Sequence, residues 1–107
     1  MVVPEEFTLG GYMAKHERAA AFEGRDGHAY SCAPYIADEA DHRGLFGAAL
    51  LFIRWDPTGH NPVGHVETEH LAWGRDPADA ERRLGALSLF DVKAALDQAI
   101  LDRPEGW

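Results

Sequence analysis

Residues 45–55, Leu-Phe-Gly-Ala-Ala-Leu-Leu-Phe-Ile-Arg-Trp, are apolar on both faces that a β-strand presents. Side chains along a strand alternate between its faces. Leu45, Ala49, Leu51, Ile53 and Trp55 therefore share one face, and Phe46, Ala48, Leu50 and Phe52 share the other. A strand with one face on a core and one in water alternates apolar with polar residues, and this one does not. Both of its faces must be covered. Extended at about 3.3 Å per residue, the segment spans about 36 Å, comparable with the width of a whole small domain.

Turn signals and periodicity place the neighbours of this strand. Residues 1–9 read as an extended lead-in closed by Gly10-Gly11. Residues 12–22 carry two signals. Ala14-Lys15-His16-Glu17-Arg18-Ala19-Ala20-Ala21 has strong helix propensity, whereas Tyr12, Ala14, Ala20 and Phe22 fall on one face of a strand. Glu23-Gly24-Arg25-Asp26-Gly27 is a hairpin-type turn, and residues 28–36 read as a strand after it, which favours a hairpin. The acidic segment 38–44 reads as a solvated loop, without the spacing of a calcium-binding EF-hand. A turn-rich connection over 56–63 leads to a second strand over 64–73.

Two helices close the chain. Asp76-Pro77-Ala78-Asp79 supplies an N-cap acid, a first-turn proline and a second acid near the positive helix end, and Gly85 marks that helix's end. Ser88 caps the next helix, whose apolar stripe is Leu89, Val92, Leu96 and Ala99/Ile100. Residues 103–107 read as a tail.

The expected fold class is therefore α+β: an antiparallel β-meander of about four strands, followed by two C-terminal helices packed on one face. At 107 residues, with 46% hydrophobic and 26% charged content, the chain has the size and composition of a single folded domain over 1–107. The two helices cover about one face of such a sheet. Burying Leu50 and Phe52 contributes about 2–3 kcal/mol each, so neither face of the long strand is expected to stay wet. Strong curling of the sheet into a half-barrel, the N-terminal segment folding over it and a second copy of the chain are the three available covers, and the second copy, a homodimer, is the favoured one.

Charge and cysteine content narrow the function. Eighteen acids against ten bases give a net charge of −8. That disfavours nucleic acid, whose phosphates require a basic face. No apolar run approaches the roughly 20 residues of a membrane helix, and the start lacks a basic, then apolar, leader. A cytoplasmic protein that binds neither membrane nor nucleic acid is expected. The single cysteine, Cys32, reads as a small packed hydrophobe, since Ser31-Cys32-Ala33-Pro34 supplies no base or cation to activate it.

The densest chemistry lies in 64–73. On a continuous strand His65, Glu67 and Glu69 share a face. A His/Glu pair at that spacing converges on one transition metal, and His60 from the preceding turn is a third candidate ligand for an open zinc or iron site. Solvent-facing polar residues are the simpler account. His65-Val66-Glu67 matches the opening of a zinc deaminase signature, but the Pro-Cys-x-x-Cys half is missing. Glu67 and Glu69 also have the separation of a carboxylate pair for acid–base work. Arg54-Trp55-Asp56 reads as charges paired around an aromatic at the strand end, and Trp55 and Trp73 are candidate stacking surfaces. No phosphate-binding loop, dinucleotide fingerprint or nucleophile elbow is present.

These features favour a non-enzymatic binding or regulatory domain that self-associates through its sheet and needs no cofactor. Two alternatives remain: a metal-assisted enzyme using His65, Glu67 and His60, and an acidic inhibitor or immunity-type protein with a basic partner.

Overall fold

A strand paired along both edges organises the computed structural model, which describes residues 7–16 and 19–103. In chain order the elements are α1 (Leu9–His16), β1 (Ala21–Glu23), β2 (Ala29–Ile36), β3 (Phe46–Trp55), β4 (Pro62–Glu67), β5 (Ala72–Gly74), α2 (Pro77–Gly85) and α3 (Leu89–Asp102). The sheet order is β1-β2-β3-β4, all antiparallel, and β5 also pairs with β3. β2 runs along one edge of β3, from Tyr30 opposite Arg54 to Ile36 opposite Ala48. β4 and β5 divide the other edge, with Glu67 opposite Leu51 and Ala72 opposite Ala48. The α+β meander with two C-terminal helices is present as the sequence suggests.

The core lies on one face of the sheet. Tyr30, Cys32, Ala48, Leu50, Phe52 and Val66 meet Leu9 of α1, Ala80 and Leu84 of α2, and Val92, Leu96, Ala99 and Ile100 of α3 in one buried cluster. The expected α3 stripe is the buried one. Both C-terminal helices are capped as their sequences indicate: Asp76 accepts from the N–H of Asp79, and Ser88 from that of Asp91.

Three sequence expectations are corrected. Residues 12–22 are neither all strand nor all helix: α1 takes residues up to His16, and β1 pairs with β2 only from Ala21. The hairpin around the 23–27 turn is therefore real but short, and residues 17–18 lie outside the described residues. The extended lead-in over 1–9 is also revised at its end. Residues 1–6 lie outside the described residues, but Thr8 bridges to Ser88 and Leu9 already belongs to α1. Thr8 is the local signal, because its hydroxyl accepts from the N–H of Gly11 and so caps the helix.

Gly10 and Gly11 sit inside α1 rather than ending it. A Cβ on Gly10 would stand 3.2 Å from the carbonyl oxygen of Gly85, so the bare backbone lets α1 cross the end of α2 closely. The tail at 103–107 is described only at Arg103, beyond the end of α3.

The third correction concerns 64–73, which is two strands. The N–H of Thr68 donates to Leu50, but the N–H of Leu50 is taken by the Thr68 hydroxyl instead of a carbonyl. The ladder resumes where Leu71 donates to Ala48. Glu69, His70 and Leu71 thus stand opposite the single residue Ala49, as a bulge between β4 and β5.

Candidate functional site

The bulge decides what becomes of the His/Glu candidates. His65 and Glu67 do share a face of β4, with His65 Nε2 3.8 Å from Glu67 Oε1, and both side chains are exposed. Glu69 follows the end of β4, so the strand spacing assumed for a Glu67/Glu69 carboxylate pair does not apply. His60 sits in the turn before β4, where its N–H donates to Asp56 and Thr58. Among the described residues, no three or more His, Cys, Asp or Glu side chains come together as a metal-holding group.

The face opposite the helices is the most distinctive surface. By register it carries Ala21, Ser31, Ala33, Tyr35, Ala49, Leu51 and Ile53, with His65 and Glu67 at one margin and Glu23 at the other. The inner strands β2 and β3 contribute no charged side chain to it. Tyr35 is 57% exposed, whereas Ala49 is only 5% exposed. Trp55 joins this face by donating from Nε1 to Ser31 Oγ at 3.0 Å. Near β5 the ring of His70 lies over Gly47 and meets Trp73 edge-on at 6.3 Å, while Arg43 sits 5.5 Å from the Trp73 ring centre. Trp73 is thus already stacked by the protein's own cation.

A second surface is a groove of about 780 Å³ between α3 and the chain leaving β4. Leu71, Ala95 and Ala99 line its floor and Glu69 and Asp102 stand on its rim, while Glu67 borders it from β4 with its carboxylate on the other face of the sheet, beside His65. Asp102 also accepts from Gln98 Nε2 at 3.1 and 3.2 Å.

A third cluster has no counterpart among the sequence expectations. Tyr30 donates its hydroxyl to Asp26 Oδ2 at 2.7 Å, Arg54 Nε stands 3.4 Å from the same oxygen, and Arg54 Nη2 lies 3.1 Å from His28 Nδ1. Arg54 therefore pairs across the hairpin with Asp26, not with Asp56 beside it. Asp56 instead holds its own turn, accepting from Thr58 Oγ1 and Asn61 Nδ2. A cleft of about 290 Å³ separates the two turns, lined by Asp26, His28, Trp55 and Thr58 among others. The Asp-Gly turn with a tyrosine four residues after the aspartate is the only local hint of it.

These carboxylates respond to their partners. Burial alone would raise the pKa of Asp26, but the Tyr30 hydroxyl, the His28 N–H and the Arg54 charge outweigh it and hold it below the ordinary 3.8. Asp41 is lowered to about 2, chiefly by the Arg43 side chain, and Asp56 to about 2, chiefly by the Thr58 hydroxyl. A group with a depressed folded-state pKa stabilises the fold fully above its unfolded value and loses that contribution as pH falls through the folded one. The stability that these carboxylates contribute is therefore expected to be fully present above the ordinary value of 3.8 and to be lost as pH falls from there towards about 2. Urea midpoints measured across that window check this; a midpoint that rose on acidification would contradict it. Burial pushes the Cys32 thiol up to about 12, so it is protonated at neutral pH.

No family model, no curated protein and no solved structure matches the chain. No helix among the described residues is long and apolar enough to cross a membrane.

Proposed function

We propose that this chain is a non-enzymatic, cytoplasmic binding domain that works as a homodimer, joined through the sheet face opposite the helices. The observation that carries this reading is the charge-free, largely apolar surface that β2 and β3 present there. Tyr35 is exposed there and Ala33, Leu51 and Ile53 are half-exposed around it, and apolar surface grouped in this way supports an interaction site.

Charge and shape favour a second copy as the occupant. Strands of three, eight, ten and six residues, about 4.8 Å apart, make a face of about 430 Å², the scale of a small interface. The net charge of −8 makes most of the surface repel another copy. The centre of this face does not, since Glu23 and Glu67 stand only at its margins. Small Ala33 and Ala49 beside larger Tyr35, Leu51 and Ile53 also offer the hollows and knobs that let two sheets interdigitate.

Sedimentation equilibrium at tens of micromolar is expected to give twice the chain mass. The double substitution Leu51→Lys with Ile53→Lys is expected to give the single-chain mass with an unchanged circular-dichroism spectrum. A single-chain mass for the unmodified protein, or a dimer that survives both lysines, would refute the reading.

A further inference from the structure

The acid-rimmed groove adjoins the end of β4, and the hydrogen-bond register shows what that strand offers on its other edge. Opposed residues of an antiparallel pair alternate between those that bond to each other and those whose backbone groups point away. The N–H of Thr68 donates to Leu50, and Val66 and Gly64 lie opposite Phe52 and Arg54 at the same alternation. Thr68, Val66 and Gly64 therefore turn their backbone towards β3, while His65 and Glu67 turn theirs outward. Among the described residues β4 has a strand neighbour on one side only.

We infer that this edge and groove dock an extended basic segment of a partner protein. The segment adds as a strand beside β4, pairing with the outward backbone groups of His65 and Glu67. Charge selects the occupant. Two carboxylates, Glu69 and Asp102, rim the groove and no basic side chain lines it. A second copy of this chain, at net −8, meets like charge there. Lysine and arginine fit the two zones of the groove together, with their methylene stems on Leu71, Ala95 and Ala99 and their charges at the rim. The inference rests on reading the chain as a binding domain but not on its self-association, because it uses the sheet edge rather than the sheet face.

Fluorescence polarisation with a labelled peptide of alternating lysine and valine tests it on the intact protein. Saturable binding is expected, weakened about tenfold or more by Glu69→Lys with Asp102→Lys, and weakened as salt rises from about 0.1 M to about 1 M. The same peptide methylated on alternate backbone nitrogens cannot pair with a strand edge, and its binding is expected to be lost. His65→Pro removes an outward N–H without touching the β3 ladder and is expected to weaken binding likewise.

Absence of saturable binding would overturn the proposal, as would equal affinity for the methylated peptide or indifference to the charge reversal. Should His65→Pro fail to fold, the methylated peptide on unmodified protein still decides. Chain mass measured on the same samples separates the two readings. Peptide binding by a single-chain species refutes the dimer alone, and a dimer without peptide binding refutes the groove alone.

Discussion

Phe52→Ala is expected to destabilise the fold by about 4 kcal/mol, the middle of the range for truncating a buried aromatic side chain. Phe52 is fully buried in the middle of β3. Cys32 and Val66 flank it on the neighbouring strands, and Phe22 meets its ring edge-on at 6.5 Å and 82°. Truncation removes the transfer energy of the ring and leaves a cavity, because paired strands on both sides of β3 hold the backbone and prevent collapse. Against a total stability of about 5–15 kcal/mol for a domain of this kind, the variant sits near the folding threshold. Urea denaturation measures the loss. A cost below about 1 kcal/mol would mean that the ring is not packed between the sheet and the helices.

Gly74→Ala is expected to cost about 3 kcal/mol although it adds only a methyl group. Gly74 lies opposite Phe46 at the start of β3, and the first turns of α2 press directly on it. A Cβ there would overlap the backbone nitrogen of Ala80 and stand 2.7 Å from Ala80 Cα and from the carbonyl carbon of Asp79. Backbone in a capped helix cannot yield locally, so β5 and α2 must separate. Gly47→Ala provides the control. There the obstacle is the His70 ring, a side chain at the rim of the sheet that can swing aside, so the expected cost is well under half as large. Thermal unfolding of both variants tests the contrast. Equal losses would show that α2 and β5 can separate at little cost.

Much of the architecture is local and was legible. Asp76 and Ser88 cap their helices through hydrogen bonds that span three residues, so residue type at a given spacing is enough to find them. The 23–27 turn and the α3 stripe are legible for the same reason. The misread segments depend on partners far away in sequence. The helix at Leu9–His16 is consolidated by Leu9 donating to Leu87 and by the passage of Gly10 over Gly85. The break in 64–73 depends on which group answers the N–H of Leu50, eighteen residues from Thr68. A hydroxyl in place of a carbonyl there is invisible to periodicity.

The candidate site divides in the same way. His65 and Glu67 could be placed together from their spacing alone, since a strand's alternation is local. The groove could not, because α3 lies opposite the β4–β5 bulge only through tertiary packing. Nor could the pairing of Arg54 with Asp26, which crosses the hairpin.

The long strand shows where that boundary runs. Its composition alone determined that both faces are apolar and that both need a cover, because alternation assigns each side chain to a face whatever surrounds it. Which face receives the protein's own helices was decided only in three dimensions. Ala48, Leu50 and Phe52 lie under them because the apolar sides of α1, α2 and α3 close into one cluster there. Leu51 and Ile53, hardly less apolar, lie half-buried on the other side, which none of the described helices covers. Hydrophobic pattern specifies that a surface must leave water, but it is non-directional and does not name what covers it.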